Sequence, residues 1–356
     1  MNSKKSFLLI TSIFSVCLIG CTRKQVRPSF IDDAINEEKQ QQEAQQNENL
    51  SNYQEFKKQY PEYKGTQDQW NADVASGNIE TIKRDINDKR DNGTYLKKID
   101  DNTFTYGRYP QTDVDPSTYA QLDINGVLVN PNLSYYELEG ALYEKSFGSY
   151  YKVEPITWKV VKQTGNQFYL MSEKAIDYYL YNNVWYKGLQ HRVDYKGEEG
   201  EGYANNYKYS SIRTFLNTDF INKAFINGDD FLDIFEVDNS LASTTKPNSD
   251  FTCENTFDKV SMLSVLECSF FGQTNVSNDA RKAAKTEYCN IQMHLGDFYA
   301  KNYQFAPYLL RTAHFLEDGK AGYVSDYGSV DYDGAVGWTI MSNCGIRPTI
   351  TVTYDR

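Results

Sequence analysis

The sequence holds three histidines with no His-x-x-x-His pair, and no two cysteines in C-x-x-C spacing, so the usual patterns of a structural zinc site or a thioredoxin-like redox pair are missing. It has no Gly-x-Ser-x-Gly elbow, no phosphate-binding loop and no dinucleotide-type glycine turn. Serine hydrolase, nucleotide hydrolase and Rossmann oxidoreductase readings therefore lack their minimal hardware. Positive charge is scarce: 37 Lys plus Arg stand against 48 Asp plus Glu, and a net charge of -11 leaves no general attraction toward nucleic acid. The uncharged stretch from Phe7 to Gly20 is too short to cross a hydrocarbon core of roughly 30 Å as a helix.

What is present is ordinary globular usage, 40% apolar and 24% charged over 356 residues, enough to bury a sizeable core. Lys4 and Lys5 ahead of the Phe7–Gly20 stretch read as a signal peptide. It ends Leu18-Ile19-Gly20-Cys21, which resembles a bacterial lipobox. The resemblance implies a lipoprotein with Cys21 as its mature, acylated N-terminus, carrying chains such as palmitate. It would be exported and held on a membrane of the bacterial cell envelope by lipid rather than by a spanning helix. Cys17 would leave with the leader, so Cys253, Cys268, Cys289 and Cys344 remain in the folded protein. An even number in an oxidising compartment permits disulfides in three pairings that the sequence does not rank; buried thiols are the other structural reading.

The chain is expected to divide into a signal peptide (1–20), a flexible tether (21–50) rich in Gln and Glu, a helical stalk (51–93) and a compact domain (94–356). In the stalk, apolar residues recur at loosely helical spacing from Tyr53 to Ile86. Pro61 and Gly65 break the first helix and Gly77-Asn78 separate it from the next. Beyond Thr94 the spacing predicts a strand at Thr103–Gly107, a hairpin pairing Ile156–Val161 with Phe168–Met171 about Gly165-Asn166, and a helix capped by Ser210. A core strand is expected at Val260–Ser264, and further short strands at Tyr308–Arg311, Ala321–Ser325 and Arg347–Thr353. These count toward an α+β fold of short antiparallel strands and loops.

Several pieces, in order, resemble the bacterial domain of unknown function 6273: Tyr106-Gly107-Arg108-Tyr109-Pro110-Gln111, Ile156-Thr157-Trp158-Lys159-Val160, Met171-Ser172-Glu173-Lys174, Tyr209-Ser210-Ser211-Ile212-Arg213, Asp258 to Ser264, Tyr308-Leu309-Leu310-Arg311 and Gly345-Ile346-Arg347-Pro348. That family in turn resembles the C-type-lectin-like superfold, which also holds the formylglycine-generating enzymes. The resemblance implies a loop-rich lectin-like domain, and a function argued from its site rather than from its fold.

Tyr178, Tyr181, Trp185, Tyr186 and Tyr207 fall in an aromatic-dense segment around the Lys196–Gly202 loop, the kind of surface that stacks on sugars or proteins, and they are the candidate ligand-binding residues. Asp326, Asp331 and Asp333 before Gly334 are the candidate calcium ligands, with Asn227, Asp229 and Asp230 as a weaker cluster. The first has a partial D-x-D-G spacing but lacks the twelfth-position glutamate of an EF-hand. Arg213, Arg311 and Arg347 read as structural, each expected to pair with a buried carboxylate, for which Glu173 and Glu267 are candidates. No catalytic residue emerges. The expectation is a non-enzymatic envelope protein, anchored to the membrane through lipid, that binds a glycan, cell-wall fragment or envelope protein and no nucleic acid. The alternatives are an exported oxidase related to the formylglycine-generating enzymes, built on Cys289 and Cys344, or a purely structural envelope component.

Overall fold

Between Pro28 and Pro61 the sequence has neither proline nor glycine and is dense in Gln, Glu, Lys and Ala, residues that lose little on entering a helix. Composition points to a flexible tether over 21–50; in the computed structural model a single helix, α1, runs Ser29–Gln59. The structure describes residues 29–182, 192–193, 202–226, 229–244, 251–270, 277–293, 304–314, 319–331 and 344–354. Two compact units divide the chain, Met1–Phe56 and Lys57–Arg356. Among the described residues no helix is long and apolar enough to cross a membrane.

The second unit opens with the helices α2 (Gln67–Ser76) and α3 (Ile79–Asp91). Thr66 caps α2 through a capping box with Gln69, and Gly77 ends it in the left-handed conformation. Arg90 of α3 reaches back to the turn ahead of α2 through a bidentate bond to Glu62, at 2.9 and 2.7 Å, and a third bond to the Gln59 carbonyl. These helices belong to the same unit as the domain that follows, with no break at residue 94.

The framework is a nine-stranded antiparallel sheet. Its first members are β1 (Lys97–Asp100), β2 (Thr103–Asp113), β3 (Val127–Asn130), β4 (Tyr135–Leu138), β5 (Ala141–Ser146), β6 (Ser149–Thr164) and β7 (Gln167–Ser172). The expectation of short strands fails for β2 and β6, which have 11 and 16 residues. β6 is the spine: β2 pairs along it from Tyr151 to Lys159, while β5 and β7 divide its other edge. The predicted hairpin is the β6–β7 pair, turning at Gly165. The C-terminal strand Thr349–Thr353 pairs with β7 and, on its far side, with Val260-Ser261, so only two residues of the expected Val260–Ser264 strand are extended.

Ser210 caps the helical segment as expected, accepting from the Arg213 amide; the segment then runs through Ser211–Phe215, a π turn at Leu216–Phe220 and Ile221–Ala224. Its Ile212, Leu216 and Phe220 share a core with Phe104, Tyr106, Trp158, Leu170 and Ile350 of the sheet. Each such side chain contributes on the order of 2 kcal/mol by leaving water. Trp158 buries completely because its indole N–H donates to the Tyr106 carbonyl at 2.7 Å. One glycine is obligatory in this packing. Gly107 sits at φ 72 where the β2–β6 register shifts, and a Cβ there would stand 2.7 Å from the Phe225 ring.

The sites expected to be structural separate by partner. Arg311 forks onto Glu267, with Nη2 2.9 Å from Oε1 and Nη1 bonded to Oε2. Arg213 pairs with Asp258 at 2.7 Å. Among the described residues Arg347 meets no carboxylate: its guanidinium donates to the carbonyls of Ser172, Glu173 and Arg281 and lies over the Tyr308 ring, while the Glu173 carboxylate pairs with Lys159. Cys253, Cys268, Cys289 and Cys344 are thiols, so the disulfide reading is replaced by the buried-thiol one.

Candidate functional site

Two residues named as ligand contacts are core residues. Tyr181 is buried with its hydroxyl donating to the carbonyls of Asn205 and Arg311, and Tyr207 is buried against the Ser261 hydroxyl at 2.9 Å. Both rings pack into the main core cluster. Trp185 and Tyr186 lie outside the described residues, as do Cys21, Asn227 and Asp333. Among the described residues, Tyr178 lines a large open cleft, while Tyr207 borders a much smaller pocket beside Asn239 and Cys253.

That cleft has a volume of about 680 Å³. Its floor is built by five segments. The first is the run after β7, where Ala175, Ile176 and Asp177 are gripped from two sides. Ala175 exchanges backbone bonds with Ala284 and Thr286, and Ile176 and Asp177 with Ile346. The terminal Gly345-Ile346-Arg347 piece is therefore a clamp. A Cβ on Gly345 would stand 3.0 Å from both Ala175 Cβ and Cys289 Sγ, and Arg347 holds the preceding carbonyls of Ser172 and Glu173. This grip sets the Asp177 carboxylate in place.

The other four segments bring partners to it. Tyr109 follows the Gly107 bulge in β2 and donates its hydroxyl to Asp177 Oδ2, while Oδ1 accepts from the Tyr178 amide at 2.7 Å. Tyr288 stands on the helix Glu287–Gln292, capped by Thr286. It donates to Glu144 Oε1 of β5 at 2.8 Å and accepts from Lys223 Nζ at 2.7 Å. Lys223, in the segment Ile221–Ala224, closes the ring with Glu144 Oε2 at 2.7 Å. Its ammonium also lies 4.7 and 4.4 Å from the ring centroids of Tyr109 and Tyr288. A lysine is thus held in the interior by one carboxylate and two aromatic faces.

Burial raises the Asp177 carboxyl above its ordinary range; Lys223, the Tyr109 hydroxyl and the Tyr178 amide pull against this, and the Glu144 charge adds to it. Burial, reinforced by Asp177 and Glu144, likewise pushes Tyr288 far up, so its proton stays in place as a donor. Tyr135 on β4 is buried nearby: Glu144 and Asp177 add to the rise that burial causes, and no hydrogen-bond partner meets its hydroxyl among the described residues. Part of the lining is aromatic. Tyr179 and Phe215 stack face to face, 4.4 Å apart and 8° from parallel, beside Tyr178. Amide and carboxylate groups of Asn130, Asn132, Asn222, Gln292 and Asp219 share the lining.

The oxidase candidates lie behind this floor. Cys289 donates its thiol to the Asp177 carbonyl at 3.1 Å, and burial holds it protonated well above the ordinary thiol range. A buried thiol that keeps its proton is a poor nucleophile. Of the proposed calcium aspartates, Asp326 lies in the turn joining the strands Ala321–Val324 and Val330–Asp331 and Asp331 in the second strand, and neither lines the cleft. Among the described residues no three His, Cys, Asp or Glu side chains gather as a metal site.

The sequence marks Tyr179 only as part of the aromatic-dense segment and gives no ligand or site role to Tyr109, Glu144, Asp177, Phe215, Lys223 or Tyr288. Partners such as Glu144 and Tyr288 are 144 positions apart, so no local spacing marks them. The one available signal is Tyr109 inside the Tyr-Gly-Arg-Tyr-Pro-Gln piece, where a glycine precedes a buried hydroxyl.

Comparison with curated proteins and with solved structures finds no match. A family model described as a domain of unknown function (DUF6273) matches residues 166–354, a stretch that includes Asp177, Phe215, Lys223, Tyr288 and the Gly345–Pro348 clamp. Tyr109 and Glu144 precede it. With just over half of its 356 residues matched, the chain belongs to the DUF6273 family.

Proposed function

We propose that this protein is a lipid-anchored receptor of the bacterial cell envelope that binds a glycan or cell-wall fragment in the cleft floored by Asp177 and walled by Tyr178, Tyr179 and Phe215. The observation that carries the reading is the Tyr179–Phe215 stack in the lining of a cleft that also presents the amides of Asn130, Asn132, Asn222 and Gln292 and the carboxyls of Asp177 and Asp219. Flat aromatic faces pack against the C–H faces of sugar rings, and planar amide and carboxylate side chains bond their hydroxyls. The α+β framework supports a C-type-lectin-like fold as the finer classification, and the Leu18–Cys21 lipobox pattern supports the anchor at Cys21. A glycan or cell-wall-fragment array with the full chain in detergent, with and without calcium, tests the reading. Binding to at least one sugar class, lost tenfold or more in Phe215→Ala, is the expected result. Binding that survives this change, or none to any fragment, would place the function elsewhere.

A further inference from the structure

We infer that the cleft selects ligands bearing a free ammonium group, which docks against Asp177 beneath the Tyr178–Tyr179–Phe215 wall; this deepens, and rests on, the glycan-binding reading.

The first argument is charge. The charged side chains lining the cleft are Asp177, Asp219 and Lys223. Lys223 is already committed: its ammonium pairs with Glu144 and bonds Tyr288. Asp177, by contrast, has two hydrogen-bond donors, Tyr109 and the Tyr178 amide, and forms no ion pair among the described residues. Glu144 and Asp177 therefore face one cation in a poorly solvated site, where burial opposes the ionisation of Asp177 unless a second cation reaches it, and a third carboxyl, that of Asp219, is exposed in the same cleft. An anionic ligand would meet this excess of like charge at close range, whereas a cation would relieve it.

The second argument is geometric and independent of charge counting. The protein already seats an ammonium in this place, with Lys223 Nζ over the rings of Tyr109 and Tyr288 and a carboxylate at 2.7 Å. Tyr178, Tyr179 and Phe215 offer further rings beside Asp177 in the same cleft. Aromatic faces around a carboxylate are the combination that holds an amine cation out of bulk water. An amino sugar with its nitrogen unacylated fits this chemistry: its ring meets the aromatic wall and its ammonium meets Asp177.

The test uses the full chain in detergent and two probes of equal length, a fully de-acetylated chito-oligosaccharide and its fully N-acetylated counterpart, at a pH where the free amine is charged. The expected result is affinity for the de-acetylated probe at least tenfold greater, with that preference abolished in Asp177→Asn and reduced in the exposed variant Asp219→Asn. Equal affinity, or a preference for the acetylated probe, overturns the ammonium inference and leaves the glycan reading standing. A preference that survives both substitutions overturns the placement at Asp177. Failure of both probes together with every other array component overturns the glycan reading and this inference with it. The wild-type comparison of the two probes stands by itself if Asp177→Asn does not fold.

Discussion

Tyr109 and Asp177, 68 positions apart, meet through the phenolic hydrogen of the first and the carboxylate of the second under the floor of the cleft. Each needs a constraint from elsewhere. The Gly107 bulge re-aims β2 ahead of Tyr109, and the Ile346 backbone pins Asp177. The pair joins two distant parts of the chain, which neither hydrophobic pattern nor local propensity would bring together.

The raised pKa of Asp177 has a stability consequence with a definite sign. The native state holds this proton more tightly than the unfolded chain, whose aspartates titrate near about 3.9. Stability contributed by the protonated group is complete below that value and is lost as pH rises through the higher native one. Asparagine has no such loss. Urea unfolding of wild type and Asp177→Asn across the acid to neutral range should show the difference shifting in favour of the variant as pH rises. A pH-independent difference would mean Asp177 titrates normally.

The Lys223–Glu144–Tyr288 ring predicts strong coupling. Lys223→Met alone leaves a buried carboxylate without its cation and should cost on the order of 3 kcal/mol. Adding Glu144→Leu should restore much of that loss, because the isolated charge goes with it. A double-mutant cycle by chemical denaturation checks this; additive effects would show that the two side chains do not depend on each other.

Gly107→Ala should be destabilising by about 2–4 kcal/mol, combining a left-handed backbone with a methyl group driven into Phe225. Gly165→Ala, equally left-handed but open to solvent, should cost less. Thermal melts of the two variants separate the packing contribution from the backbone one.

Burial pushes Cys268 up to about 11 and Cys289 well above the ordinary thiol range, and Cys344 is fully buried. All three should resist alkylation in the native protein at mildly alkaline pH, with the half-buried Cys253 reacting first. In denaturant without reductant all four should alkylate. Residue-resolved mass spectrometry reads this directly, and any position that labels only after reduction would reveal a disulfide.

Local signals were legible where they are local. The Pro61 and Gly77 breaks, the Ser210 cap and the β6–β7 hairpin all follow from neighbours within a few residues. The length of β2 and β6 was less so, because Pro110 within β2 reads as a stop, yet it is accommodated where the register with β6 shifts. Glu267 is one of two carboxylates the sequence offers to three arginines, because a guanidinium in an apolar motif needs a carboxylate, and only the fold assigns it to Arg311. Arg347 departs from that rule, since three backbone carbonyls serve it equally well.

The aromatic candidates show the limit most clearly. Tyrosine density between Tyr178 and Tyr209 marks this stretch as unusual, but a tyrosine is equally suited to a wet surface and to a core that offers its hydroxyl a carbonyl. Tyr181 and Tyr207 went to the core; Tyr178 and Tyr179 went to the cleft.

Composition, charge and local pattern by themselves determined the α+β class, the turns and caps, the family likeness and the exclusion of common catalytic hardware, because each depends on residue type or short spacing. Only the tertiary structure decided which polar groups meet. The Asp177–Tyr109 bond and the Lys223–Glu144–Tyr288 ring exist because an antiparallel sheet, a bulge and a backbone clamp bring five distant segments to one place, where low dielectric makes each charge depend on its partners.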